Sequence, residues 1–210
     1  MVYAIAHIRG GMEKGKKWYE DGKKKNKLNS FNDFISCAKF LKKKNISGNI
    51  SIHGGSAGGL LIGASLNISP DTFHCAVAEV PFVDVLNTIL DDTLPLTPPE
   101  WEEWGNPIKN KSDFDYIRSY SPYDNIKKQS YPAILATSGL TDPRVTYWEA
   151  TKWIAKLRSK KIDDNPIFLK TYTEAGHGGM AGRYNQIKEI AFIYAFILWR
   201  NNLTKRSISR

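Results

Sequence analysis

In the stretch SIHGGSAGGL, residues 51–60, the second serine, Ser56, sits among four glycines and an alanine. Residues 49–53 ahead of it read as a short strand, and the small and apolar residues after it, to about Asn67, read as a helix. Gly-x-Ser-x-Gly between a strand and a helix is the setting of a nucleophile elbow. Such a turn is so sharp that its serine takes strained backbone angles. Side chains two positions before or after the serine would strike the neighbouring strand or helix, which Gly54 and Gly58 avoid. The turn lifts the Ser56 hydroxyl above the sheet edge and aims the backbone N–H of Ala57 at the same space. With the positive end of the following helix, that N–H can hold a developing oxyanion. A phosphate-binding loop is the rival use of such glycines, but neither G-x-G-x-x-G nor a closing Lys-Ser/Thr occurs.

Working outward, strand and helix patterns alternate. VYAIAHI (2–8) predicts a buried strand. Residues 28–45 predict a helix capped by Ser30, with Phe31, Phe34, Ile35, Ala38 and Leu41 at helical spacing and lysines 42–44 at its negative end. Further strands are predicted at 75–80, stopped by Pro81, at 133–139 and at 166–173. Helices are predicted at 146–160 and 183–200, and a Pro-rich, acidic, aromatic loop at 91–112. This order predicts an α/β fold with a mostly parallel sheet.

A serine hydroxyl needs a base, and the base needs an orienting carboxylate. In the elbow-bearing fold the chain order is serine, acid, histidine, each after a strand. SGLTDPRV (138–145) supplies Asp142 and EAGHGGMAGR (174–183) supplies His177. His7 and His53 fall within strands, where a packed or hydrogen-bonded imidazole is expected, and His74 falls just ahead of one. His177 alone sits in a glycine loop at a strand's C-terminal end, where catalysts gather in open α/β sheets. Asp84 and Asp124 remain rivals for the acid, whereas Asp163 and Asp164 precede a strand and lie at the wrong end.

Composition excludes several other classes. The 210 residues are enough for one domain with its own core, and 41% apolar with 24% charged residues is ordinary for a globular protein. The net charge of +9 comes largely from lysines in KKWYEDGKKKNK (16–27) and FLKKKN (40–45), interrupted by acids or placed at a helix end. No nucleic-acid-binding pattern accompanies them, so no nucleic-acid partner is expected. No apolar run approaches the about 18 residues of a membrane span, and the N-terminus lacks the basic region and cleavage site of a signal peptide. Cys37 and Cys75 form no metal or disulfide pattern. A buried pair of free thiols in a reducing cytoplasm is expected, with no metal and no cofactor.

Eight stretches together resemble the C-terminal part of the prolyl oligopeptidase family of serine peptidases, and most of all its oligopeptidase B members. They are VYAIAHIRGG (2–11), WYEDGKKKNKLNSFNDF (18–34), GGSAGGLL (54–61), PFVDVLNTILDDTLPLT (81–97), EEWGNP (102–107), SYSPYDN (119–125), YWEATKWIAKLR (147–158) and GHGG (176–179). The resemblance implies an α/β-hydrolase fold over residues 1–203, with 204–210 as a tail. It implies Ser56 as nucleophile, Asp142 as acid and His177 as base. It also implies cleavage of short peptides after Arg or Lys, with Glu100 and Glu102 in PPEWEEWGNP as the cation-binding pair and Arg144 on the substrate backbone. Which two of Glu100, Glu102 and Glu103 face the pocket stays open, since an acidic surface loop would read the same way.

Against the family pattern, no β-propeller precedes the hydrolase part, and counting back from Ser56 makes 2–8 the fourth of the usual eight strands. The first three strands are missing, and so is the tyrosine that supplies the family's second oxyanion donor. An N-terminal fragment carrying them is the partner this implies. An inactive remnant or binding module of a split gene is one alternative. A small esterase, sharing the triad but not the acidic loop, is another.

Overall fold

The computed structural model describes residues 1–204, so the tail expected at 204–210 lies outside the described residues from 205 on. Four strands, β1 (Ser51–Gly55), β2 (Cys75–Glu79), β3 (Ala133–Gly139) and β4 (Ile167–Tyr172), form one sheet in that order, every pair parallel. Among the described residues there are eight α-helices: α1 (Lys16–Glu20), α2 (Leu28–Lys43), α3 (Ala57–Ile68), α4 (Val85–Leu90), α5 (Thr97–Trp104), α6 (Lys111–Tyr120), α7 (Tyr147–Lys160) and α8 (Arg183–Arg200).

The two faces of the sheet follow from the period-2 alternation of strand side chains. Ile52, Ala76, Ala78, Ile134 and Ala136 turn to one face and pack with Ile35 and Ala38 of α2, Ile62 and Leu66 of α3, and Trp153, Ile154 and Leu157 of α7. Cys75, Val77, Ala133 and Leu135 turn to the other face, where Ile193, Phe196 and Ile197 of α8 cover them. A third apolar cluster joins Phe82, Val85, Leu86 and Ile89 to Trp104 of α5, Ile117 and Tyr120 of α6, and Val145. It takes in Phe82 from the loop after β2 and Val145 from the loop after β3.

Four sequence expectations change. Among the described residues, 2–8 forms no strand, and Val2, Tyr3 and Ile5 are largely exposed. A strand exists only through hydrogen bonds to a neighbour, and β1 pairs on one side with β2 and on the other with nothing described. Ser30 does not cap α2. The helix begins at Leu28, and the buried Ser30 hydroxyl donates instead to the carbonyls of Arg9 (2.6 Å) and Gly22 (3.3 Å). The stretch 91–112 is not all loop: Pro98 and Pro99 sit in the first turn of α5, where a missing N–H costs nothing. Cys75 is buried and Cys37 is exposed, both as free thiols, so they are not a buried pair. His53 is hydrogen-bonded in β1 as expected, to Glu79 Oε1 (2.5 Å), and His74 just ahead of β2 meets the Arg200 carbonyl (2.6 Å), whereas His7 lies in no strand.

Candidate active site

Ser56 stands between β1 and α3 with φ 54° and ψ −120°, a left-handed conformation that costs a residue with a side chain about 1–3 kcal/mol. Its surroundings hold it there. Its N–H donates to the Glu79 carbonyl (2.9 Å), and its carbonyl accepts from Gly59 (2.8 Å) and from Phe82 (3.0 Å). A Cβ on Gly54 would stand 2.5 Å from the Gly58 carbonyl oxygen, so the turn closes on itself only over a glycine. The second collision is one residue later than the motif implies. A Cβ on Gly58 meets nothing within 4 Å, whereas one on Gly59 would stand 2.4 Å from Pro81. Ala57 is the first residue of α3, so its N–H has no intrahelical acceptor and remains available.

Asp142 and His177 are brought together by two crossing loops. The carbonyl of Ala175 accepts from the N–H (3.2 Å) and the hydroxyl (3.0 Å) of Thr141, and Gly139 lies so close that a Cβ there would be 2.5 Å from the same carbonyl. Asp142 is buried. Its Oδ2 lies 2.7 Å from His177 Nδ1, while Oδ1 accepts from the N–H groups of Arg144 (2.8 Å) and Val145 (3.1 Å). Three polar contacts fix the carboxylate, which in turn orients the imidazole. The rival acids are engaged elsewhere. Asp84 binds Lys152 and accepts from Asn87 (2.7 Å), and Asp124 accepts from Ser121 (2.7 Å).

Ser56 and His177 both line two cavities. One, of about 310 Å³, extends over the C-terminal ends of β2, β3 and β4. The other, of about 140 Å³, is walled by Phe82, Ile89 and Trp104 and also touched by Ala57, Arg144 and Glu100. Of the three glutamates only Glu100 lines it, its Oε2 accepting from Trp104 Nε1 (2.8 Å). Glu102 is 88% exposed and pairs with Lys24 (3.1 Å). Glu103 pairs with the buried Lys27 (2.8 Å) and accepts from the Tyr19 hydroxyl (2.7 Å). The expected Glu100/Glu102 pair is therefore not assembled here, because on the helix α5 the two side chains, two residues apart, leave on different sides.

One buried carboxylate behind the site carries no mark in the motifs above. Glu149, near the start of α7, is 1% exposed and accepts from Val83, Asp84 and Thr88. Its signal was present: Glu149, Ala150, Trp153, Ile154 and Leu157 are the buried positions of one amphipathic stripe, and a glutamate falls within it.

The profile of the prolyl oligopeptidase family matches residues 1–203. Protease 2 of Moraxella lacunata is 50% identical over 200 residues, covering 94% of this chain and 29% of its own length. Dipeptidyl aminopeptidase BI of Pseudoxanthomonas mexicana is 48% identical, covering 94% and 28%. Among solved structures, oligopeptidase B from Leishmania major superposes with a TM-score of 0.92 at 48% identity, covering 97% of this chain and 29% of that one. The chain thus spans well under a third of the length of these relatives.

Proposed function

Because the chain belongs to the prolyl oligopeptidase family, we propose that it is the catalytic part of a serine peptidase that cuts short peptides after Arg or Lys. The observation that carries this reading is the Asp142–His177 contact of 2.7 Å beside the same cavities that Ser56 lines from its strained turn. In this reading Ser56 Oγ attacks the scissile carbonyl carbon as His177 takes its proton. The Ala57 N–H receives the oxyanion, and collapse of the intermediate passes the proton to the leaving amine. Water, activated by the same imidazole, then releases the acyl group and restores Ser56. Asp142 stays ionised and holds the imidazole in place.

Substrate choice rests on Glu100 in a cavity walled by Phe82, Ile89 and Trp104. A long apolar stem with a cationic end fits such a wall, with charge pairing at Glu100 and an aromatic face at Trp104. Arg144 lines the same cavity and is exposed, which supports the reading that it meets a peptide carbonyl. Two free thiols fit a reducing compartment such as the cytoplasm.

In this reading hydrolysis requires the strands and the second oxyanion donor that the family resemblance places ahead of this part. The unpaired side of β1 and the exposed Val2, Tyr3 and Ile5 support that requirement. They equally favour the second reading, an inactive remnant, which the retained triad opposes. The test is hydrolysis of an Arg-terminated fluorogenic dipeptide by residues 1–210, alone and with the front part of a full-length relative added. Turnover that appears only on addition, and disappears with Ser56→Ala, supports the proposal. No turnover under either condition, with no fluorophosphonate labelling at Ser56, favours the remnant.

A further inference from the structure

A buried carboxylate must be matched by donors or cations. Glu149 has donors: its Oε2 accepts the N–H groups of Val83 and Asp84, each at 2.9 Å, and its Oε1 accepts the Thr88 hydroxyl at 2.8 Å. The neighbouring cation, Lys152, is bound to Asp84 instead. All three donors belong to the segment that leaves β2 and enters α4. That segment backs the nucleophile turn. Pro81 packs against Gly59, and the Phe82 N–H donates to the carbonyl of Ser56. Phe82, Thr88 and Ile89 also wall the smaller cavity. On its other side Glu149 follows the acid loop, with its own N–H on the Thr146 carbonyl (3.0 Å).

We propose that Glu149 is a positioning residue that ties the turn after Asp142 to the segment behind Ser56, holding the nucleophile turn and the cavity wall in one register. This rests on the reading of Ser56 as nucleophile. Glu149 touches neither Ser56 nor His177 and acts through the backbone of residues 82–84. A glutamine can replace it, since its amide oxygen accepts both N–H groups and the Thr88 hydroxyl can turn to accept from the amide nitrogen. Leucine offers no acceptor and leaves the Val83 and Asp84 N–H groups unpaired.

The test combines residue-resolved amide hydrogen exchange with the rate of fluorophosphonate labelling at Ser56. In the wild type, the Phe82, Val83 and Asp84 amides should share one opening reaction and the same dependence on added urea. Glu149→Leu should speed exchange at all three about tenfold or more and slow labelling by a similar factor, and Glu149→Gln should restore both. Separate opening reactions in the wild type would overturn the proposal even if Glu149→Leu does not fold. So would unchanged Phe82 protection in a folded Glu149→Leu, or labelling lost in Glu149→Gln at unchanged stability. Absence of labelling in the wild type even with the front part of a relative added would remove the nucleophile reading, while the exchange result would still decide the role of Glu149.

Discussion

Replacing Glu149 by Gln removes one titrating group and keeps its hydrogen bonds, so it isolates the effect of a buried charge on stability. Burial pushes the Glu149 carboxyl up to about 7. The N–H of Asp84 and the hydroxyl of Thr88 oppose that rise, the negative charge of Asp84 adds to it, and the N–H of Val83 opposes it. The other charged group packed nearby is Lys152, whose ammonium is bound by Asp84. In the unfolded chain the carboxyl titrates at its ordinary value of 4.5. The folded state therefore holds its proton through a pH range in which the unfolded state has lost it. Below about pH 4.5 the contribution to stability is complete. It declines by up to about 1.4 kcal/mol per pH unit as pH rises, and it is gone above about pH 7. Between pH 5 and pH 8 the wild type should lose about 2–3 kcal/mol that Glu149→Gln keeps. That is a large fraction of an ordinary domain stability of about 5–15 kcal/mol. Urea unfolding of both proteins at several pH values, followed by the fluorescence of the six tryptophans, reads the difference. The stability of Glu149→Gln relative to wild type should grow with pH. Two curves that stay parallel from pH 5 to pH 8 would refute the reasoning.

Other perturbations bear on the site itself. Ser56→Ala should abolish fluorophosphonate labelling, and in a complemented enzyme His177→Ala should lower turnover by about 10³ or more, measured as kcat on an Arg-terminated peptide. Gly54→Ala places a Cβ 2.5 Å from the Gly58 carbonyl oxygen and should cost at least about 1–3 kcal/mol in a denaturation experiment. Gly58→Ala, whose Cβ meets nothing within 4 Å, should cost little, and equal losses would refute the elbow geometry described here. Glu100→Gln should lower kcat/KM for basic peptides relative to apolar ones by about tenfold or more. Glu102→Gln, which faces Lys24 and water, should leave that ratio unchanged.

The parts of this protein legible in its sequence are those that short-range physics decides. The strand–turn–helix around Ser56 is written in ten residues, because a backbone forced to φ 54°, where a Cβ on Gly54 would stand 2.5 Å from the Gly58 carbonyl oxygen, tolerates few alternatives. Alternating strand and helix patterns imply a parallel α/β sheet, since apolar period and turn residues are local properties.

Where the outcome depended on a partner far along the chain, only the tertiary structure decided it. Residues 2–8 have the composition of a strand, yet among the described residues no neighbour offers them hydrogen bonds. Ser30 looks like a helix cap but serves the carbonyls of Arg9 and Gly22, brought to it by the fold. Of three near-identical glutamates, one meets a cavity and two meet Lys24 and Lys27, because the turn of a helix sends neighbouring side chains to different surroundings. Glu149 reaches residues 83, 84 and 88 across more than 60 positions of sequence, and a contact of that range leaves only a faint trace, a charged residue in an apolar stripe.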